Sequence, residues 1–467
     1  MEKKVGLSSH GLSVFEVWNQ QHKFGLDSEE KSLVSRKKYL KTLLETIKNN
    51  ENLLLECLNQ DLGKGKVAAY ASELGFLYTE IRYALKNLKT WMSPKKVKTP
   101  LVAFPGKSQI IPEPIGKVLI IAPWNYPLQL LLSPAVGALA AGNSVVLKPS
   151  ELAPRTSKVV GEIIANSFSP NIISVFEGGV KPVEELLKYR WDHIFFTGSP
   201  KVAKIISKVA AQNLTPVTLE LGGKSPCIIT KNASLSIAAR RVCFGKWFNA
   251  GQTCVAPDYI LVDESVKEIF LKSLKQEIKN IFGEKPRKSL EYARIVNSYH
   301  FDRLEGLIDS HKVCFGGDRD KSVFYIGPTL LNEVTWDSVV MKEEIFGPIL
   351  PILTFTDLSC LIETLQNQEK PLALYLFSEE EVEKKLVTSN LSFGGGCIND
   401  TLLHVSNIHL PFGGVGQSGQ GSYRGEKTFD LFSHKKSILT TPTRLDLPLR
   451  YPPYNKIQEK IIKFFMK

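Results

Sequence analysis

The chain has 467 residues, of which 43% are hydrophobic and 23% are charged. This composition is typical of a soluble globular protein with more than one domain. The formal net charge is +12, but lysine and arginine are spread among acidic residues. Nucleic-acid binding usually depends on a concentrated basic patch, so we expect no nucleic-acid partner.

The cysteines are seven in number and scattered singly. No C-x-x-C pair and no Cys/His cluster occurs, so we expect neither a disulfide framework nor a metal site. The first residues carry charge without an apolar segment, and no run of about 18 apolar residues follows. These features predict a cytoplasmic protein in a reducing compartment, without a membrane-spanning segment.

The predicted elements change in kind along the chain. From about residue 11 to residue 92, apolar residues recur at helical spacings, and one such stretch ends at Gly63. From about residue 108, short apolar runs end in Gly, Pro or Ser and alternate with helical stretches. This alternation predicts a parallel, doubly wound α/β sheet. A second such block starts near Gly222, so we expect two α/β domains with a ligand cleft at the carboxyl ends of their strands.

Polar residues stand at the ends of several predicted strands. Lys148 would face a ribose or phosphate in the cleft, or it is a solvated lysine. The amide of Asn125 suits a developing oxyanion, or it forms a turn. Gly198 and Ser199 lie between a strand and a helix, where free backbone amides bind phosphate, or where they form an ordinary capped turn.

Three further residues carry candidate reactive groups. Glu220 lies in the apolar stretch "LELGG", so it either forms a salt bridge or acts as a base with a raised pKa. Cys254 follows a glycine-bearing turn and precedes a β-type run. We expect a helix start behind the cysteine, and backbone amides near the turn that favour a thiolate and hold an oxyanion; the alternative is a buried structural cysteine. Glu344 and Phe346 in "EEIFGP" could equally be a surface acid and a core ring.

The order and spacing of these motifs resemble the aldehyde dehydrogenase superfamily. The matching segments are "PWNYP", "LKPSE", "FTGS", "LELGGKSP", "NAGQTC", "EEIFGP" and "PFGGVGQSG". The segments "YARIVNSYHFDRL", "QEKPLALYLF", "FDLFSHKKS" and "RYPPY" resemble its class 3 branch, which acts on fatty and aromatic aldehydes. The resemblance extends from about residue 12 to residue 454.

The resemblance implies an aldehyde dehydrogenase-like α/β fold. Its parts are a Rossmann-type NAD-binding domain, an α/β catalytic domain and a small oligomerisation arm. We expect the NAD-binding domain and N-terminal helices over residues 1–99 and 115–220, the catalytic domain over 221–410, the arm over 100–114 and 428–442, and an amphipathic C-terminal tail over 443–467.

The resemblance also implies a reaction and the residues that perform it. The reaction is oxidation of medium- or long-chain aliphatic or aromatic aldehydes to carboxylic acids, through a thiohemiacetal and a thioester on Cys254. Asn125 and the amide of Cys254 are the expected oxyanion hole, and Glu220 is the expected base. The expected cofactor-binding residues are Trp124, Lys148, Glu151, Gly198, Ser199, Gly222, Glu344 and Phe346. The expected substrate-lining residues are Phe76, Tyr126 and Phe248.

The expected cofactor is NAD, with NADP as an open alternative. The carboxylate of Glu151 would accept a hydrogen bond from the ribose 2′-hydroxyl and repel a 2′-phosphate, which favours NAD. Class 3 members often use both. Pro200 and Ala203 depart from the family, which usually has a small polar residue and a glycine at these positions, so we expect a shifted or weaker contact to the pyrophosphate.

The expected partners are a second copy of the chain and, in one reading, a membrane surface. The arm segments imply a homodimer. In the tail, Ile457, Ile461, Phe464 and Phe465 alternate with lysines at helical spacing. Such a helix either packs on the protein body or lies on an anionic membrane surface.

Three other functions compete with this reading. A coenzyme-A-acylating aldehyde dehydrogenase generally lacks an acid at the position of Glu220. A thiol esterase would not need the nucleotide motifs. A non-catalytic dinucleotide-binding scaffold would not need Cys254, Asn125 and Glu220 together.

Overall fold

The structure is a computed structural model that describes residues 6–24, 27–446 and 450–465. Three parts of the predicted tail lie outside the described residues: residues 447–449, residues 466–467 and the side chain of Phe465. The α-helices are α1 (Val14–Phe24), α2 (Leu33–Asn49), α3 (Glu51–Leu62), α4 (Lys66–Ala69), α5 (Gly75–Met92), α6 (Gln129–Ala141), α7 (Pro154–Ser167), α8 (Val180–Leu187), α9 (Pro200–Gln212), α10 (Leu235–Trp247), α11 (Lys267–Phe282), α12 (Ser298–Glu305), α13 (Leu358–Gln366), α14 (Glu381–Asn390), α15 (Glu426–Leu431) and α16 (Lys456–Phe465). The strands are β1 (Lys95–Val97), β2 (Lys107–Pro114), β3 (Lys117–Ile121), β4 (Ser144–Lys148), β5 (Ile173–Val175), β6 (His193–Thr197), β7 (Val217–Glu220), β8 (Pro226–Ile229), β9 (Tyr259–Asp263), β10 (Val313–Phe315), β11 (Arg319–Asp320), β12 (Tyr325–Ile326), β13 (Thr329–Leu331), β14 (Ile349–Phe355), β15 (Ala373–Phe377), β16 (Gly395–Ile398), β17 (Gly419–Gln420) and β18 (Ser433–Thr440).

The N-terminal region is helical, as its periodicity predicts. The side chain of Ser32 caps α2 by accepting a hydrogen bond from the amide of Ser35. Helix α3 ends at Gly63, whose φ of 64° lies in the left-handed region that favours glycine. Between α4 and α5 the chain forms a π-helical turn, Tyr70–Leu74. No helix in the described ranges is both long enough and apolar enough to cross a bilayer.

The first sheet is the predicted doubly wound sheet. Its strands lie in the order β17-β7-β6-β3-β4-β5. Strands β3 to β7 are parallel to their neighbours, and the short β17 adds antiparallel to β7. Residues in β3, β4 and β6 are buried throughout, as expected for parallel strands covered by helices on both faces. The carboxyl ends of β3, β6 and β7 therefore meet at one edge.

The second sheet also matches the predicted α/β alternation. Its order is β10-β13-β14-β9-β8-β15-β16, and only β10 pairs antiparallel. The apolar runs "PCIIT", "YILVD", "HKVCFGG", "LPILTFTD", "LALYLFS" and "GGGCIND" predict six of these strands, and the exception, β13, has only three residues. The turn that carries Cys254 leads directly into β9.

A third, smaller sheet stands apart from the two cores. Strands β1, β2 and β18 pair antiparallel in that order, and β2 pairs with β18 along eight residues. Residues in β18 are mostly exposed. Beside this sheet, Leu101, Val102 and Phe104 are also exposed.

Candidate active site

Two cavities meet at Cys254. The larger one has a volume of about 1030 Å³ and is lined by residues of both large sheets, among them Asn125, Glu220 and Glu344. The smaller one has a volume of about 480 Å³, and its lining includes Phe76, Tyr126 and Phe248. Cys254 and Leu130 line both cavities. The cysteine therefore lies where a polar cavity joins an apolar, aromatic one.

The turn before Cys254 has a backbone that few sequences tolerate. Asn249 and Ala250 adopt left-handed conformations, with φ of 53° and 50°, and Gly251 follows with φ of 74°. A Cβ on Gly251 would collide with the carbonyl oxygen of Gly347, so only glycine fits. After Cys254 the chain makes a turn and enters β9. The expected helix behind the cysteine is absent from this described segment, and that expectation is wrong.

Gln252 anchors this turn, although sequence analysis gave it no role. Its Nε2 donates to the carbonyl oxygens of Asn249 (3.1 Å) and Arg294 (2.9 Å), and its Oε1 accepts from the amide of Val296 (3.1 Å). Because these bonds hold the turn from both sides, the position of Cys254 does not depend on its own side chain.

Asn125 lies beside the same turn. Its Nδ2 donates to the carbonyl oxygen of Gln252 over 3.0 Å. The main-chain carbonyl oxygen of Asn125 accepts hydrogen bonds from Lys64 Nζ (2.8 Å) and from Asn249 Nδ2 (3.0 Å). The side chain is 2% exposed and lines the larger cavity. It is therefore more than a surface turn residue.

The surroundings of Cys254 disfavour the thiolate. Burial, and then the negative charges of Glu344 and Glu220, raise the pKa of Cys254 to about 12. The amides of Cys254 and Val255 act in the opposite direction, as expected, but they do not outweigh burial. The amides of the turn thus act as expected, but the net effect of the fold is a protonated thiol, which must lose its proton for the sulfur to react.

Glu220 ends β7 with a buried carboxyl group. It is 2% exposed, and neither carboxylate oxygen has a hydrogen-bond partner among the described residues. The salt-bridge alternative is thus wrong. Burial raises the pKa of Glu220 well above its ordinary value. A raised pKa makes the carboxylate of Glu220 a stronger base than that of an exposed glutamate, which suits a group that accepts a proton during catalysis.

The loop that carries Glu344 and Phe346 packs against the opposite wall. Gly222 leaves space for the carboxylate of Glu344. A Cβ on residue 222 would collide with that carboxylate. Burial and the nearby Asp258 raise the pKa of Glu344 to about 8. The ring of Phe346 meets the ring of Trp124 edge to face, with centroids 5.5 Å apart. All four of Gly222, Glu344, Phe346 and Trp124 line the larger cavity.

Lys148 and Glu151 lie outside both cavity linings. Lys148 ends β4, next to β3, and is 2% exposed, so the solvated alternative is wrong. Its Nζ donates to the carbonyl oxygen of Pro149 (2.7 Å) and lies 3.7 Å from Glu151 Oε2. Burial lowers the pKa of Lys148. The side chain of Glu151 is 47% exposed.

Gly198 and Ser199 form the turn between β6 and α9. A Cβ on Gly198 would lie 2.6 Å from the ring of Phe196. Ser199 Oγ accepts from the amide of Val202 over 3.4 Å, and Pro200 occupies the first helical position. The predicted capped turn is therefore present, and it also lines the larger cavity.

An arginine in the wall of the smaller cavity is a feature that sequence analysis missed. Arg424 lies 3.6 Å from the ring centroid of Phe76 and pairs with the buried Glu80 over 2.8 Å. It is 4% exposed. No local pattern marks it, because its partners lie more than 300 residues away in sequence.

Comparisons with known proteins agree with this geometry. The sequence profile of the aldehyde dehydrogenase family matches residues 23–438. The chain is 50% identical over 441 residues to 4,4'-diaponeurosporen-aldehyde dehydrogenase of Staphylococcus aureus, covering 94% of this chain and 96% of that protein. It is 45% identical to the dimeric NADP-preferring aldehyde dehydrogenase of Canis lupus familiaris, covering 89% and 92%.

The fold has a solved counterpart. A structure described as the substrate-bound state of Staphylococcus aureus AldH superposes with a TM-score of 0.96 at 48% identity, covering 98% of this chain and 100% of the other. The two-domain α/β architecture and the motif order are therefore those of a known family. The chain belongs to the aldehyde dehydrogenase family, whose members oxidise aldehydes to carboxylic acids with NAD(P).

Proposed function

We propose that this chain oxidises medium- or long-chain aliphatic or aromatic aldehydes, with Cys254 as the nucleophile. One observation carries the proposal: Cys254 lies where the polar and the aromatic cavity meet. A substrate that enters the aromatic cavity with its carbonyl group foremost reaches the sulfur. A cofactor in the polar cavity reaches the same point from the other side.

The larger cavity fits the NAD(P) used by the family. Lys201 and Lys204 line it beside the N-terminus of α9, where partial positive charge suits phosphate groups. The hydroxyl of Thr197 is buried there without a partner in the described ranges. Gly198 and Gly222 keep the walls open, because a Cβ at either would strike a neighbour.

We assign the parts of the dinucleotide from the family motifs; the pyrophosphate and nicotinamide residues line this cavity, whereas Lys148 and Glu151 lie outside its lining. Gly198 and Ser199 would contact the pyrophosphate, and Glu344 would hold the nicotinamide ribose beside Phe346. Lys148 and Glu151 would hold the adenosine ribose at the end of β4. Trp124 and Gly222 complete the wall on the nicotinamide side. Pro200 leaves the first turn of α9 with one donor fewer, which supports the expected weaker pyrophosphate contact.

Cys254 Sγ forms a bond with the aldehyde carbon, and the carbonyl oxygen becomes the oxyanion of a thiohemiacetal. One N–H of Asn125 donates to Gln252, and the other has no partner in the described part of the chain. That second N–H and the amide of Cys254 would stabilise the oxyanion. The sulfur is protonated before it reacts, because burial keeps the pKa of Cys254 at about 12, and the thiol proton passes to solvent water in the larger cavity as the C–S bond forms. The bound NAD(P)+ supplies the hydride acceptor for oxidation to the thioester.

Glu220 would complete the turnover. Its carboxylate removes a proton from the water that attacks the thioester carbon, the C–S bond breaks, and the carboxylic acid leaves. A coenzyme-A-acylating reaction would instead transfer the acyl group to a second thiol and would need no such base. The buried, unpartnered carboxyl of Glu220 favours hydrolysis.

The aromatic cavity supports an apolar substrate. Phe76, Tyr126 and Phe248 line it, and Tyr126 is fixed by a 2.7 Å hydrogen bond between its hydroxyl and Thr253 Oγ1. Each buried CH₂ of the substrate contributes about 0.8 kcal/mol, so the six additional CH₂ groups of dodecanal, if all are buried, should raise kcat/KM over hexanal by up to about 10³-fold. NADH formation from hexanal, dodecanal, hexadecanal and benzaldehyde tests this substrate class. Equal kcat/KM for all four would contradict it.

Glu151 is the proposed determinant of cofactor preference. We expect Glu151→Gln to raise kcat/KM with NADP relative to NAD about tenfold, equivalent to about 1.4 kcal/mol, because the carboxylate no longer repels the 2′-phosphate. Glu162→Gln is a matched control, since Glu162 is an exposed acid on α7 that lines neither cavity. An unchanged NADP/NAD ratio in Glu151→Gln would assign the preference elsewhere.

The exposed three-stranded sheet supports a homodimer. Its edge strand β18 and the apolar residues Leu101, Val102 and Phe104 are exposed in the single chain. Exposed strand edges pair readily with another strand. The mass of the full chain by sedimentation equilibrium tests the proposal, and a monomer at micromolar concentration would contradict it.

The C-terminal helix α16 supports peripheral contact with an anionic membrane. Ile457 and Phe464 are 70% and 77% exposed, and Lys456 and Lys460 are exposed on the same helix. We expect the full chain to pellet with vesicles that contain anionic lipid, and the chain without residues 455–467 to stay in the supernatant. Equal pelleting of both chains would exclude this role and favour a helix that packs on the protein body.

A further inference from the structure

We propose that a buried ion pair, Lys64–Glu73, positions Asn125 for its oxyanion role. Lys64 and Glu73 would then be positioning residues for the reaction, since neither lines either cavity. This inference rests on the proposed function, and in particular on the role of Asn125.

The pair is fully enclosed. Lys64 is 3% exposed and Glu73 is not exposed at all, and Lys64 Nζ lies 2.5 Å from Glu73 Oε1. Lys64 follows the end of α3, and Glu73 lies in the π-helical turn before α5. Such π-turns are frequent at functional sites. Two separate helical segments thus bring opposite charges together behind the catalytic cleft.

Lys64 reaches Asn125 directly. Its Nζ donates to the main-chain carbonyl oxygen of Asn125 over 2.8 Å, and it lies 4.0 Å from the ring centroid of Tyr126. The side chain of Tyr126 in turn bonds to Thr253, next to Cys254. One ammonium group therefore fixes a residue of each cavity.

Glu73 holds the other end of the same loop. Its Oε2 accepts from the amides of Leu128 (2.8 Å) and Gln129 (3.3 Å) at the start of α6. The loop between β3 and α6 is thus fixed at Asn125 by the lysine and at Leu128 by the glutamate. A displacement of this loop would separate the pair or expose a buried charge, which is costly.

Stability alone does not explain the pair. Buried ion pairs are often replaced by apolar residues of similar volume without loss of stability. A donor to an oxyanion, in contrast, has to be held closely, because a misplacement of about 1 Å can reduce the rate about 10²-fold. The contacts of the pair with Asn125 and Leu128 hold both ends of the loop that carries the Asn125 amide, and this limits how far the amide can move.

The test replaces both charges while keeping side-chain volume and the acceptor at the start of α6. In Lys64→Met/Glu73→Gln we expect kcat to fall about 10- to 100-fold, with the dissociation constant for NAD unchanged within about twofold. The matched control is Lys117→Met/Asp192→Asn, because Lys117 begins β3 at the end opposite to Asn125 and pairs with Asp192 over 3.5 Å. We expect kcat of this control to stay within about twofold of wild type. Wild-type kcat in Lys64→Met/Glu73→Gln would overturn the proposal.

A double-mutant cycle separates positioning from general structure. In an Asn125→Ala background the pair has no amide left to position, so its replacement should reduce kcat less than about threefold further. An additional loss as large as in wild type would overturn the proposal. If the double replacement does not fold, Glu73→Gln alone enters the same cycle, because it keeps an acceptor for Leu128 and removes only the charge.

The activity of the wild-type protein in the same assay distinguishes failure of the proposed function from failure of the positioning role. Absence of NADH formation by wild type would contradict the proposed function itself. Wild-type turnover that Asn125→Ala reduces, together with unchanged kcat in the ion-pair variants, would reject only the positioning role.

Discussion

Replacing Cys254 with alanine is expected to abolish NADH formation from every aldehyde, with a residual rate at least about 10³-fold below wild type. In the proposed reaction the sulfur bonds the substrate carbon, and among the described residues no other reactive side chain lines both cavities. The turn should keep its shape in the variant, because Gln252 and Gly251 determine it rather than the cysteine side chain. Steady-state kinetics together with the NAD dissociation constant measure both effects.

Cys314→Ala is the matched control for this experiment. Cys314 is also partly buried and free, but it lies on the edge strand β10, outside both cavities. We expect its activity to equal that of wild type. Turnover in Cys254→Ala at the level of the Cys314→Ala control would remove the cysteine from the mechanism.

Replacing Glu220 with glutamine should separate the two halves of the reaction. We expect a burst of NADH that approaches one equivalent per chain, followed by a steady rate about 10²- to 10⁴-fold below wild type. Thioester formation needs the sulfur, whereas its hydrolysis needs a base for the water. Rapid mixing with a saturating aldehyde measures the burst and the steady rate in one trace. A variant without a burst would place Glu220 in the first half of the reaction as well.

Glu220 should also determine how the rate of thioester hydrolysis depends on pH. Burial raises the pKa of Glu220, so the neutral acid, which cannot accept a proton, persists to higher pH than in an exposed glutamate. Raising the pH increases the carboxylate fraction, and the rate of thioester hydrolysis should therefore rise from weakly acidic to alkaline pH. In Glu220→Gln this rise should vanish. An identical pH profile in wild type and variant would contradict the role of Glu220 as base.

The fold followed from the sequence because its strands are short apolar runs with clear ends. Parallel strands covered on both faces need continuous burial, and β3, β4 and β6 show it in sequence and in structure alike. Strand β13 was not predicted, because three residues are too few to show a hydrophobic periodicity. Its place in the sheet depends on pairing with β14, which is a tertiary contact.

The proximity of the candidate site residues was predictable from the sequence, but their electrostatics were not. Motif order identified Cys254, Asn125 and Glu220, and the structure brings all three to the larger cavity. Local sequence suggested that amides would favour a thiolate, whereas burial and two acidic neighbours raise the thiol pKa. Burial depends on the whole fold, and no window of sequence reports it.

The buried charges of Lys64, Glu73 and Arg424 could not be predicted from the sequence for a related reason. Lys64 and Glu73 stand in a helical region where charged residues usually face solvent. Only the π-helical turn and the return of the chain at Asn125 enclose them. Arg424 likewise meets Glu80 and Phe76 across the chain. Partners that lie far apart in sequence leave no local pattern.

The mass of the acyl-enzyme shows whether Cys254 carries the covalent intermediate. Glu220→Gln is mixed with dodecanal and NAD, quenched in acid, and analysed intact and after proteolysis by mass spectrometry. The account predicts one acyl group per chain, attached to the peptide that contains Cys254, and no adduct in Glu220→Gln/Cys254→Ala. NADH formation without an adduct on Cys254, or an adduct on another residue, would contradict the account.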